Sequence, residues 1–319
     1  MTAGGLLLLQ ACQVLTVALL SPLLQGAIAK GEALLQSRRG PSVIQPYRDL
    51  VKLARKGMTI PETASWAYLL GPVVAVAAYL AVPLLLPVLT AFPLPLATAG
   101  DVLGGAFLLS LAAVSVATAA ADSGAPYTGL GSSRTMTFAA LAEPTLIFVF
   151  FTIALLTATD NPFVMNQAMQ SSWGEEFRAS HALATAAFFM MLLLETGRIP
   201  IESGSATLEL GMIDEARTLE HSGPLFGLLR WGGMLKQLIL YTIFLNVLIA
   251  PWGVATNGDV LTVLLALGSF LLKLAVLAVI VVGIESAFAK LRLFRITEFM
   301  GAGFILAVLA ILVFYFGGG

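Results

Sequence analysis

Residues 260–285 read VLTVLLALGSFLLKLAVLAVIVVGIE, an apolar run interrupted only by Lys273 before Glu285 closes it. A helix rises 1.5 Å per residue, so about 20 apolar residues in a row match the hydrocarbon core of a bilayer. Seven further stretches of this kind accompany it, at roughly 5–29, 66–90, 102–121, 137–158, 180–197, 236–255 and 299–316. Composition agrees. Of the 319 residues, 58% are hydrophobic and 11% charged, where soluble domains carry about 25% charged residues, and mean hydropathy is +0.93. So little polar surface cannot face water on all sides. The sequence therefore predicts an all-α, polytopic membrane protein of about eight transmembrane helices with cytoplasmic amphipathic helices, forming a single transmembrane domain over 1–319. The run before Lys30 is uncharged and has no positive segment ahead of it, so it is expected to be a retained helix rather than a cleaved signal.

Orientation follows from the cations. All but two of the 17 Lys and Arg fall in the alternate loops 30–65, 122–136, 198–236 and 286–298; the exceptions are Arg178, in an opposite loop, and Lys273. Positive loops stay in the cytoplasm, which puts both termini outside. Loops 30–65 and 198–236 are also long, and a soluble partner is expected to dock there. A net charge of −1 offers no face for nucleic acid. One cysteine, Cys12, and two distant histidines, His181 and His221, make no metal or cluster ligand set. Any redox cofactor is expected on a partner chain.

The first long loop carries Arg38 and Arg39 ahead of a Gly40-Pro41 turn. In the segment that follows, Pro46 suits a first helical turn. Tyr47, Leu50, Val51 and Ala54 share one face, with Arg48, Lys52, Arg55 and Lys56 mostly off it. Such a helix lies in the membrane interface with its cations on anionic lipid heads, and the same basic surface suits a soluble subunit.

The second long loop is acidic. Glu195, Glu202, Glu209, Asp214, Glu215 and Glu220 place a third of the 18 acids within 26 residues. Arg198 follows Glu195 by three and is expected to pair with it on one helix face. Residues 206–220 read as a helix in which Glu209 and Glu220 join the stripe of Met212, Ile213 and Ala216, about 16 Å apart along the axis. Carboxylates inside an apolar stripe bind protons more tightly and can exchange them near neutral pH; at the edge of the stripe they stay solvated. Glu143, about two turns into the fourth span, and Lys273, near the middle of the seventh, are ionisable groups in lipid. Such groups turn toward the bundle interior and mark either a proton path or a static ion pair. Gly129–Arg134 lacks the Lys-Ser/Thr ending of a phosphate loop.

Four of these segments, in order, resemble a known family. Arg39-Gly40-Pro41 with Gln45-Pro46, Asp49 and Lys52 is similar to the first loop of the quinone-tunnel membrane subunit of complex I. Gly131-Ser132-Ser133-Arg134 ahead of Glu143, and Glu195-Thr196 with Arg198, Pro200, Glu202 and Glu209-Leu210, resemble it too. Gln45–Leu50, Thr137–Pro144 and Leu208-Glu209-Leu210 through Leu219-Glu220 are more similar still to the corresponding subunit of group 4 NiFe hydrogenases, of the formate hydrogenlyase and hydrogenase-4 type. The resemblance departs at Glu202-Ser203-Gly204, where that family usually carries Asp-Asn-Pro, and at Thr207 and Asp214, where it commonly carries His.

The resemblance implies a membrane subunit, in a bacterial or archaeal cytoplasmic membrane, that performs no chemistry alone. It would anchor a NiFe large subunit and an iron–sulfur small subunit and join them to antiporter-like membrane subunits. The NiFe centre and clusters would sit on those partners. A proton relay is expected through Glu143, Glu195, Glu202, Glu209, Glu215, Glu220 and Lys273. Docking is expected at Arg38, Arg39, Arg48, Asp49, Lys52, Arg134 and Arg198. Two other readings are a quinone-reducing complex I subunit, disfavoured by the alanine-rich run before Glu143-Pro144, and a stand-alone transporter, which would be expected to show repeated halves.

Overall fold

The computed structural model describes residues 3–171, 179–198, 216–287 and 293–317. The described residues are helices and connecting loops; their only β pairing is an isolated bridge between Thr90 and Ala255. The helices are α1 (Ala3–Leu35), α2 (Gln45–Ala54), α3 (Trp66–Leu85), α4 (Val102–Asp122), α5 (Pro126–Thr157), α6 (Pro162–Ser171), α7 (Ala179–Glu195), α8 (Gly223–Ile243), α9 (Val260–Ala287) and α10 (Leu293–Phe316). Each of the eight apolar runs is a helix. Seven are long and apolar enough to cross a bilayer, and the eighth, α7, has 17 residues. The chain is a multi-pass all-α membrane protein.

Helix α8, with its π-helical continuation Phe244–Ile249, is the central post. Some 83% of its apolar window is buried, against 22% for α10 at the periphery. It packs against α1, α2 and α3, and more lightly against α7. Helices α3 and α4 form the closest pair: a Cβ on Gly71 would stand 2.5 Å from the Ser115 carbonyl and 2.5 Å from the Ala119 Cβ. Helix α10 lies on α5 and α7, and α9 packs against α1. The outward face of α9 is oily. Val260, Leu261, Leu272 and Val279 are each more than two-thirds exposed, as expected where lipid is the solvent.

The loops sort into two ends. At one, Thr63 donates to the Ser123 carbonyl (2.7 Å), Ser65 to the Asp122 carboxylate, and Thr59 N–H to Ser222 (2.8 Å). This end carries the described cations of the predicted loop 30–65. At the other, the backbones of Leu89 and Ala91 pair with Ala255, and Val102 N–H donates to the Asp160 carbonyl. Among the described loops, these two groupings follow the alternation read from Lys and Arg.

Several boundaries differ from expectation. Helix α5 begins eleven residues before the predicted 137, because Pro126 starts a helix well and Gly129–Arg134 continues it. Glu143 is thus nearer the middle of its helix than two turns from the start. Helix α8 likewise begins at Gly223, which makes helix of much of the predicted loop 198–236. Helix α6 was not foreseen; its amides, Asn166, Gln167 and Gln170, bond carbonyls of the neighbouring loops. Of the helix predicted over 206–220, residues 206–215 lie outside the described residues, and Ala216–Thr218 is one 3₁₀ turn.

The Gly71 contact yields a stability test. Gly71→Ala is expected to cost about 1–3 kcal/mol by overpacking, read as a lower thermal midpoint in detergent. Gly268→Ala, on α9 where a Cβ meets nothing within 4 Å, is expected to be neutral or mildly stabilising.

Candidate functional site

The site begins where α7 ends. Gly197 adopts φ +64°, its N–H bonds the Leu194 carbonyl, and the Arg198 N–H bonds the Leu193 carbonyl. This Schellman pattern stops the helix and satisfies its last carbonyls. It also overturns the expected Glu195–Arg198 pair. The two residues no longer share a helix face, and each finds partners elsewhere.

Glu195 pairs with Lys236 of α8. Arg198 turns inward, its side chain 8% exposed, and ties three helices together. Its Nη1 donates to Glu32 of α1 at 2.9 Å, and its Nη2 donates to Gln25 of α1 and to Gln237 of α8 at 3.2 Å. Glu285 of α9 lies 3.5 Å from Nη1. A residue expected to dock partners is therefore an internal clamp.

Two cavities meet at the Glu195–Lys236 pair. One, of about 90 Å³, lies between α4, α5, α7 and α8. Phe107, Phe138, Leu146 and Phe150 make its walls apolar, and Glu143 and Glu195 are its acids. Its volume is enough for several waters at roughly 10–15 Å³ each. The other, of about 580 Å³, is polar and lined by Arg198, Arg217, Arg230, Gln237 and His221. Glu195, Gly197, Arg217 and Lys236 line both. Beside the first cavity, Pro144 interrupts the hydrogen-bond ladder of α5, since a proline has no N–H for the carbonyl of Ala140.

The other expected residues are dispersed. Glu202, Glu209 and Glu215 lie outside the described residues. Glu220 is exposed rather than in an apolar stripe, and its backbone carbonyl accepts from Tyr68 Oη at 2.7 Å. Lys273 lines neither cavity. Its Nζ donates to Asn246 Oδ1 (3.0 Å) and to the carbonyls of Ala250 (2.7 Å) and Trp252, so it closes the C-terminal end of the α8 post, with no carboxylate among these acceptors. Arg38, Arg39, Arg48, Asp49 and Lys52 are exposed on or near α2, as a docking surface requires, while Arg134 sits partly buried within α5. Glu32, Gln25, Lys236 and Gln237 were not singled out from the sequence. A single acid near the end of an apolar run, such as Glu32, was the one available signal.

Beside the polar cavity, the segment after Ala216 is fastened to the first long loop. The His221 ring stacks on Tyr68 with centroids 4.3 Å apart, and Ser222 Oγ donates to the Thr59 carbonyl at 3.1 Å. Gly223, at φ +54°, passes so close that a Cβ would stand 2.6 Å from the Gly57 carbonyl. Burial holds the His221 imidazole down to about 4.

A family model described as NADH dehydrogenase matches residues 8–316. Formate hydrogenlyase subunit 4 of Escherichia coli (strain K12) is 32% identical over 93% of this chain and 95% of its own length. Hydrogenase-4 component C of the same organism is 30% identical over 96% of this chain and 95% of its own length. Among solved structures, a chain of the membrane-bound sulfane sulfur reductase, an archaeal respiratory membrane complex, superposes with a TM-score of 0.82 at 22% identity, covering 97% of this chain and 99% of that one, and so shares the fold.

The buried imidazole sets a pH dependence. His221 is neutral in the fold, so its share of stability is complete above the ordinary value of 6.5 and drains away as pH falls from there toward 4. His221→Phe keeps a ring against Tyr68 and is expected to flatten the acid side of a thermal-midpoint-versus-pH curve. An unchanged slope would place the acid sensitivity elsewhere.

Proposed function

The chain belongs to the NADH dehydrogenase family, and on that footing we propose that it is the membrane subunit of a group 4 NiFe hydrogenase-type complex that couples a redox reaction to proton movement. In this reading the charged end faces the cytoplasm. A NiFe large subunit and an iron–sulfur small subunit dock there, against the exposed cations of α2 and the loop before it, Arg38, Arg39, Arg48 and Lys52. Antiporter-like membrane subunits continue the path sideways. The redox cofactors belong to the docked subunits, and this chain supplies charge and proton sites.

One observation carries the reading: the Glu195–Lys236 ion pair stands in the wall shared by a polar cavity and an apolar one, with Glu143 in the apolar one. A change of charge at the docked redox arm acts first on the arginines of the polar cavity. Lys236 responds to the same field, and when its hold loosens Glu195 is left without its counter-ion and is free to take up a proton. A protonated Glu195 can then hand its proton through cavity water to Glu143, the next acid inward. The phenylalanines lining the apolar cavity keep any water there sparse, so transfer waits on the charge change. The loop acids Glu202, Glu209, Glu215 and Glu220 belong to the cytoplasmic approach in this scheme. Lys273 serves instead as a fixed tether at the outer end. The two hydrogenase subunits, each similar over nearly the whole length, favour this reading over a quinone-reducing one.

The test uses the assembled complex in sealed vesicles. Glu143→Gln and Glu195→Gln are expected to leave assembly and uncoupled hydrogen turnover intact while cutting proton translocation about 10²-fold, the lower end of what a positioned proton donor contributes. Normal translocation in both variants would remove the two acids from the pathway.

A further inference from the structure

Beyond the Glu195–Lys236 pair lie two acids that the proposed path does not use. Glu32 closes α1, Glu285 closes α9, and both turn to the one guanidinium of Arg198. Their side chains are 25% and 24% exposed. Among the described residues, the other groups hydrogen-bonded in this cluster are neutral: Gln25, Gln237 and, bonded to Gln237 at 3.1 Å, the hydroxyl of Tyr241; Arg217 and Arg230 line the same polar cavity without pairing with either acid. Two acids thus meet one arginine, and an arginine cannot give up its proton. Nη1 is committed to Glu32 at 2.9 Å, and Glu285 Oε2, at 3.5 Å, is buried and accepts no hydrogen bond. Both carboxyl groups therefore converge on one nitrogen, Nη1, at 2.9 and 3.5 Å. Helix α1, on which α9 packs, also carries Lys30, two residues before Glu32, and it forms no ion pair with either acid. On α8, Lys236 is taken by Glu195.

Two ionised carboxylates in that position would leave the cluster one negative charge in excess and Glu285 Oε2 without a donor. A single proton between them removes both faults, because it cancels the excess charge and supplies the hydrogen bond. Like-charged carboxyl pairs at close range share protons for this reason. We propose that Glu32 and Glu285, which meet at Nη1 of Arg198, hold one exchangeable proton between them. The fold thereby carries a proton store on the α1–α9 side of Arg198, separate from Glu143 and Glu195. Its filling state sets the net charge around Arg198, a wall of the polar cavity.

Difference infrared spectra of the purified complex, taken between neutral and alkaline pH, test this without any turnover. A protonated carboxyl shows a carbonyl stretch that shifts in heavy water. The native complex is expected to show this band near neutral pH and lose it on the alkaline side. Glu285→Gln and Glu32→Gln are each expected to abolish that component, since a shared proton needs both partners. Glu143→Gln is expected to leave it in place, which separates this result from failure of the coupling scheme. The inference is overturned if the native complex has no such band, if the band survives either of the two single variants, or if Glu143→Gln is what removes it. Assembly of the variants is checked by co-purification. If neither glutamine variant assembles, the native titration decides: a band that shifts in heavy water and disappears with rising pH supports the store, and its absence sinks it.

Discussion

A charge inside an apolar bundle persists only where the protein replaces the water it has lost. Arg198 states the terms. It is nearly buried, it can never become neutral, and it sits where α1, α8 and α9 converge. Five side chains from those three helices are spent on it or on one another. Removing one partner of such a group typically costs about 3–5 kcal/mol, so these helices are held in register by the need to answer one guanidinium.

The two ends of the molecule answer that need differently. The end bearing Lys273 uses amides and carbonyls. Asn246, carried on a π-helical segment, donates to the carbonyls of Pro87 and Val88 and accepts from Lys273. Asn166 and Gln170 both reach the Pro251 carbonyl. Such bonds fix irregular backbone at depth and leave little that can change its charge. The end bearing Arg198 uses carboxylates and cations, whose balance shifts with a proton or with a charge brought by a neighbour. Stiffness at one end and adjustable charge at the other suit a subunit that stands between a redox arm and a membrane arm.

Tight backbone approaches make the adjustable end precise. The Schellman turn at Gly197 sends Arg198 inward while Glu195 stays on the helix to meet Lys236. Gly131 lies against the backbone of Ala216 and Arg217, and Gly223 against Gly57. These contacts anchor the described end of the acidic loop beside the polar cavity. A small displacement of that segment bears directly on the residues lining both cavities.

By itself the sequence determined that the chain crosses a membrane as helices, how many apolar runs it has and which loops share an end. Those follow from local properties: the length of an apolar run, the count of charges in a loop, and the need of every backbone amide in lipid for an intrahelical partner. It also pointed to Glu143, Glu195 and α2, because an isolated acid in an apolar run and a 3.6-residue stripe are visible in one dimension. Only the tertiary structure decided the partners. Glu195 looked destined for Arg198, three residues away, yet pairs with Lys236; Arg198 in turn reaches back to Glu32 and across to Glu285. Lys273 looked like an ion-path residue and proves to be bound by helix-end oxygens. The physical reason is that a helix terminus can turn a side chain through a large angle with one left-handed glycine. Charges then select partners by distance and desolvation in space, which spacing along the chain does not record.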